Sequence, residues 1–242
     1  MKKDFTIRIG TSGWTYKHWD GVFYPSTWPQ SKWLAYYSEH FDTVELNASF
    51  YRLPRRSTFE NWRCKTPDDF LWSVKGSRFI THIKRLKNPA EPLDRLYDAV
   101  HGLKEKLGVI LFQLPPNLVF DADLLKRFSK SLKPHIRHTI EVRHSSWFND
   151  QTLEILRDFN IALCLADTAG RYPFCEAITA DFVYCRLHGS KKLYVSQYSK
   201  AELKAWAEKV LSWDRDAFIY FDNDAKGHAV RDAESLKKIV FA

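Results

Sequence analysis

Short apolar runs rich in β-branched and aromatic residues recur along the chain, each followed by a stretch with helical spacing. The runs cover 6–11, 43–47, 70–75, 109–114, 139–143, 161–167, 183–188 and 218–222. Between them the periodicity predicts helices near 31–40, 56–64, 92–106, 121–131, 150–159, 199–211 and 229–239. Ser31, Asp121, Asn149 and Ser199 each stand just before a helix-forming stretch, where a short polar side chain can accept from the first free N–H groups. The connection TAGRYPFCEAITAD, between the sixth and seventh runs, carries no full helical pattern and is expected to be irregular.

Eight strands alternating with helices over 242 residues predict an α/β fold of the TIM type, a (β/α)₈ barrel spanning 1–242 as a single domain. The rival is an open doubly wound sheet, which is more often built from about five or six strands. It would also be expected to carry GxGxxG after its first strand. Gly10 and Gly13 do not provide that spacing.

Side chains alternate between the two faces of a strand, so one register choice fixes a whole set. In 43–47, Val44 and Leu46 share one face while Glu45 and Asn47 share the other. If the apolar pair packs on helices, Glu45 and Asn47 point into the barrel. The same reasoning directs Lys75, Gln113, Glu141 with Arg143, Asp167, Arg186 with His188, and Asp222 inward. Most of these stand at the C-terminal ends of their strands, where barrel enzymes place their chemistry. Burying so many ionisable groups is costly unless they pair or face a wet pocket. Any one of them reads as readily as a core ion pair. Their number favours a ligand site.

Composition adds limits. Hydrophobic residues make up 45% and charged residues 27%, an ordinary balance for a folded domain. No run reaches the ~18–20 apolar residues of a membrane helix. The segment MKKDFTIRIG lacks the pattern of a secretory signal, so a cytoplasmic location and no membrane partner are expected. Lys and Arg total 37 against 29 acids, a formal charge of +8. That suits an anionic partner, but the basic residues are scattered rather than clustered. Cys64, Cys164, Cys175 and Cys185 form no CxxC pair, and none is assigned a role in chemistry.

Two loops and a concentration of aromatic residues sharpen the picture. HGSKKLY follows the seventh run with Gly189, Ser190, Lys191 and Lys192, and DNDAKGH follows the eighth with Lys226 and Gly227. Barrels often bind phosphate in these two places. Trp14, Tyr16, Trp19, Phe23, Tyr24 and Trp28 crowd the first loop, Phe50 and Tyr51 follow the second strand, and Trp147 and Phe148 the fifth. Core packing is the default for each, but together they suggest a partly apolar wall able to stack on a sugar ring or a base.

The strings GTSGWTYKHWDGVFYP, FDTVELNASFY, SVKGSRFITHIKRL, LFQLPPNL, EVRHSSW, YCRLHG and FDND resemble the YecE-like family, domain of unknown function 72, in family order and over essentially the whole chain. The resemblance implies a TIM-type barrel of bacterial, cytoplasmic origin and supplies no reaction. It places the family pattern on Ser12, Gly13, Trp14, Glu45, Asn47, Lys75, Gln113, Pro115, Glu141, Arg143, His144, Asp167, Arg186, His188, Asp222 and Asn223. One departure is FQLPP, where a more aliphatic residue often precedes the glutamine.

The favoured reading is an enzyme moving protons on a small polar substrate, anionic or sugar-like. Glu141 is its leading acid/base, Glu45 its carboxylate partner and His188 a second proton carrier, with Asp167 and Asp222 in the same group. Lys75, Arg143 and Arg186 hold the anionic group, and Ser12, Trp14, Asn47, Gln113, His144 and Asn223 complete the binding set. No cofactor is required. One rival is a phosphoester hydrolase or isomerase holding a divalent metal on Glu45, Glu141, Asp167, His188 and Asp222. Another is a non-catalytic module that binds nucleic acid.

Overall fold

In the computed structural model, which describes residues 5–242, the apolar runs become parallel strands and most intervening stretches become helices. In chain order these are β1 (Ile7–Thr11), α1 (Trp33–His40), β2 (Thr43–Leu46), one-turn α2 (Ala48–Tyr51), α3 (Arg56–Cys64) and β3 (Leu71–Lys75). Then come α4 (Ala90–Val100), β4 (Leu107–Gln113), α5 (Ala122–Lys130), β5 (Arg137–Glu141), α6 (Asp150–Asp158), β6 (Ile161–Leu163) and β7 (Leu165–Asp167). The last are β8 (Phe182–Leu187), α7 (Lys200–Ser212), β9 (Asp216–Phe221) and α8 (His228–Val240).

The strands form two parallel sheets, in the orders β2-β3-β4-β5-β6 and β1-β9-β8-β7. The run 161–167 is one extended segment interrupted only at Cys164, so the chain passes there from one sheet to the other, and the Cys164 N–H still donates to the Ile140 carbonyl at 2.9 Å. At the other seam Ser12 and Glu45 form a single parallel bridge. Gly10 runs so close to β2 that a Cβ on it would stand 2.3 Å from the Thr43 carbonyl oxygen.

Alternation sorts the side chains into two cores. Val44, Leu46, Val74, Ile110, Phe112, Leu163, Leu187, Ile219 and Phe221 join the main core with helical residues such as Leu96, Leu125 and Leu236. Val109, Leu111, Ala162, Cys164, Phe182, Tyr184, Phe218 and Tyr220 form a smaller separate cluster on the inner face. Strands buried on both faces explain why the runs read as nearly continuous apolar stretches.

Asp121, Asn149 and Ser199 cap α5, α6 and α7 as expected, and Glu202 completes a capping box with Ser199. Ser31 does not cap: it lies inside a 3₁₀ turn (Gln30–Lys32), and α1 starts at Trp33 without a side-chain cap. The stretch 92–106 is not one helix. After α4 the chain tightens into a 3₁₀ segment (His101–Lys106) with Lys104 at φ 49, while Gly102 presses against α3, where a Cβ would lie 2.5 Å from the Arg56 carbonyl oxygen. The segment 168–181 holds no helix. Ladders stop slightly before the polar residues, so Asn47, Arg143, His188 and Asp222 lie just past their strands. Single backbone bonds, His188 N–H to Asp167 and Asp222 N–H to Leu187, each 2.9 Å, keep some of these ends aligned.

Candidate functional site

The inner face becomes steadily more polar toward the strands' C-terminal ends. Midway, the Tyr220 hydroxyl lies 2.6 Å from Thr43 Oγ1 and 2.8 Å from Ser73 Oγ. Next up, Tyr184 donates its hydroxyl to Glu45 Oε2 at 2.6 Å. Above that layer Ser12, Glu45, Lys75, Gln113, Glu141 and Arg186 are all buried.

Arg186 organises them. Its Nη1 donates to Glu141 Oε2 at 2.7 Å, and its Nη2 to Asp222 Oδ2 at 3.0 Å and Ser12 Oγ at 3.2 Å. Nε and Nη2 also reach the Glu45 carboxylate, so one guanidinium joins three acids. Glu141 takes further hydrogen bonds from Gln113 Nε2 at 2.8 and 2.9 Å and from Arg143 Nε at 2.8 Å. Ser12 donates to Glu45 and accepts from Asn47 Nδ2 at 2.6 Å. His188 Nδ1 lies 2.9 Å from Asp222 Oδ2, off the line of a good hydrogen bond.

These partners fix the protonation states. Burial alone would push the Glu141 carboxyl up, but Arg143 and Arg186 hold it well below the usual carboxylate range. Asp222 is likewise lowered: burial opposes, and Arg186 and His188 prevail. Lys75 goes the other way. Burial and the Arg186 cation push its ammonium down to about 8, against the pull of Glu141, Glu45 and Asp222. Its Nζ sits 4.4 Å above the Phe50 ring. The rim is aromatic: Arg143 lies over Tyr172 at 4.6 Å, and Tyr194 meets His188 edge-on at 5.3 Å. The Tyr16 hydroxyl donates to the Ser12 carbonyl at 2.5 Å.

A family model described as "Protein of unknown function DUF72" matches residues 8–241. The chain belongs to the DUF72 family. The UPF0759 protein YunF of Bacillus subtilis is 28% identical to it over 97% of this chain and 94% of that protein. The UPF0759 protein YecE of Escherichia coli K12 is 28% identical over 61% of this chain and 53% of its own length. Among solved structures, a DUF72 protein of Thermotoga maritima superposes with a TM-score of 0.89 at 30% identity, covering 98% of this chain and all of its own. One from Enterococcus faecalis, at 20% identity and 0.85, shares the fold over 98% of this chain and 96% of that one.

In this DUF72 chain several expected site residues lie elsewhere. Asp167 shares its strand face with Ile161, Leu163 and Leu165 and pairs in register with outward-facing Leu187, so it points to the helices and accepts from the Tyr198 hydroxyl at 2.8 Å. Asn223, one residue past the inward Asp222, donates to Asp232 Oδ2 at 2.7 Å and the Ser196 carbonyl at 3.0 Å. His144 turns its Nδ1 to Ser146 and caps a 3₁₀ turn (Ser145–Trp147). Trp14 packs edge-on against Trp62 and Trp72, although it also borders a cleft of about 280 Å³ with Asn47, Tyr51 and Trp62.

Of the two loops expected to cradle phosphate, the first folds on itself and the second packs against the segment after β1. Ser196 Oγ takes the Lys191 and Lys192 N–H groups, and Tyr198 takes that of Gly189. Asp224 accepts from the Trp19 indole at 2.8 Å, and Gly227 packs beneath Val22. Among the described residues no group of three His, Cys, Asp or Glu side chains is arranged to hold a metal ion. Sequence reasoning missed the inward tyrosines Tyr184 and Tyr220. Their positions, two residues from Arg186 and Asp222 on the same faces, were the available signal.

Proposed function

We propose that this protein is a (β/α)₈-barrel enzyme taking a small polar, anionic substrate, phosphorylated or sugar-like, at the C-terminal ends of its strands. The passage through Cys164 and the Ser12–Glu45 bridge support joining the two sheets into a barrel, with β6 and β7 as one strand. The observation that carries the functional reading is the gradient of burial across the polar cluster. Glu45, Arg186 and His188 are wholly enclosed, whereas the Arg143 and Asp222 side chains keep 11% and 15% of their surface open at the rim. A network that served only to fasten the strands would have no need of an open edge.

The enclosed groups set charge and the edge meets the ligand. Glu141 is saturated by three donor residues and held low, which makes it a poor proton acceptor. It fixes Arg143 and Arg186 in place. Asp222, lowered in the same way, stands beside His188, so proton transfer falls to His188 and to Lys75, while Arg143 and Lys75 face the substrate's negative group. The donor set speaks against the metal reading, because Glu45, Glu141 and Asp222 each turn an oxygen to the Arg186 guanidinium.

Thermal unfolding in the presence of sugar phosphates, short oxo acids, divalent metals and oligonucleotides tests the assignment. A ligand at ~100 times its Kd adds roughly 2.7 kcal/mol. Stabilisation by a phosphorylated or carboxylated small molecule, lost in Arg143→Ala, is expected. A response to metals or oligonucleotides alone overturns it.

A further inference from the structure

Resting on that reading of the strand ends as a ligand site, we infer that Lys75 is a covalent amine, condensing with the carbonyl of a small substrate that also carries a carboxylate or phosphate. Lys75 ends β3 on the inner face, two residues after Ser73, whose hydroxyl meets Tyr220 in the interior. Ser49 Oγ donates to the Lys75 carbonyl at 2.6 Å and pins the strand end. The side chain is therefore delivered to a fixed place beside the Arg186 network.

What sets this amine apart is its lack of acceptors. Lys75 is 8% exposed, yet among the described residues its Nζ has no hydrogen bond and no ion pair, only the face of Phe50. Lys106 is buried to a similar degree, and its Nζ donates to the carbonyls of Arg63 and Thr66 at 2.8 and 2.7 Å. A structural lysine is satisfied in that manner. The Phe50 face attracts the ammonium only weakly, and an amine enclosed beside the Arg186 cation with no acceptor for its N–H groups keeps its lone pair available. Roughly a tenth of it is neutral at pH 7, against well under a thousandth for a free lysine.

The step balances without an oxidant or reductant. The Nζ lone pair forms a bond to the carbonyl carbon as the C=O π pair moves to oxygen. The nitrogen gives up one proton, solvent at the rim supplies a second, and the oxygen leaves as water. The product is a protonated imine whose charge replaces that of the ammonium among Glu45, Glu141 and Asp222. Arg143, held over Tyr172, is placed for the substrate's anionic group.

Reductive trapping is the test. The full-length protein is incubated at pH 7 with glyoxylate, or with dihydroxyacetone phosphate, and sodium cyanoborohydride, then mapped by peptide mass spectrometry. The expected result is one adduct per chain, on Lys75, outpacing every other lysine by at least tenfold and absent in Lys75→Arg. Because the wild-type map locates the adduct, the result does not depend on the variant's folding. Labels spread over other lysines with Lys75 unmodified overturn the inference. If either probe raises the unfolding temperature while Lys75 stays unlabelled, the imine is wrong and the anion site survives. Absence of both effects removes the two together.

Discussion

Arg186 and Glu45 meet side-on, Nε to Oε2 at 3.0 Å and Nη2 to Oε1 at 2.8 Å, and neither side chain has any exposed surface. A planar guanidinium matches a carboxylate in this way and a lysine would not. Arg186 stands on β8 and Glu45 on β2, in different sheets, so the pair spans them at the seam where the Ser12–Glu45 bridge joins the backbones.

Removing the cation leaves Glu45, Glu141 and Asp222 enclosed beside one another. Breaking a buried pair from one side costs about 3–5 kcal/mol. Arg186→Met is expected to lose at least that much in urea unfolding at pH 7. A loss below ~1 kcal/mol would show that the network does not hold the strands together.

Acid should act through the same groups. Glu141 and Asp222 have folded-state values depressed below their unfolded ones, so the stability they contribute is fully present above about pH 5. It declines as pH falls through the unfolded carboxylate range near 4 and on through the lower folded values. Unfolding free energy measured between pH 7 and pH 2 should fall in that window, with a shallower slope in Glu141→Gln. Parallel curves for the two proteins would contradict it.

Lys75 predicts the opposite trend at high pH. Its folded-state value near 8 lies below the 10.5 of a free lysine, so between them the unfolded chain binds more protons and stability rises with pH. Lys75→Met should therefore be more stable than wild type at pH 7, by about 1–3 kcal/mol, since each tenfold change in proton affinity is worth ~1.4 kcal/mol. The gap should narrow by pH 10. A variant less stable than wild type at pH 7 would mean the ammonium is better accommodated than its surroundings indicate.

Gly10 tests the seam between β1 and β2. A Cβ there meets a backbone oxygen that no rotamer change can move. Gly10→Ala is expected to cost about 1–3 kcal/mol in chemical denaturation and to weaken ligand protection by shifting Ser12 and Glu45. A neutral effect would place the strands farther apart than 2.3 Å implies.

Alternation alone brings together the side chains that cluster around Arg186. Glu45, Lys75, Gln113, Glu141, Arg186, His188 and Asp222 were readable because each follows apolar neighbours of fixed parity. Asp167 failed by that same rule: it stands in phase with Ile161, Leu163 and Leu165, and the break at Cys164 does not change the phase. Asn223 and His144 lie past the ends of regular pairing, where period two no longer dictates direction, and each turned to a local partner. Roles were less legible than positions. The sequence shows that Glu141 and Arg143 are near one another, but the three donor residues that immobilise Glu141 come from β4, β8 and the end of β5. Likewise, no periodicity reveals that the donors of the 189–198 loop turn inward on Ser196 and Tyr198.

The Arg186 hub draws on Ser12, Glu45, Glu141 and Asp222, residues scattered from the beginning of the chain to its last strand. Positions proposed to serve a ligand and positions that fasten the strands are thus the same positions. A library of variants selected only for surviving heat would be constrained at these sites as tightly as one selected for turnover. Lys75 is where the two selections should part: heat would discard the amine that the proposed imine requires.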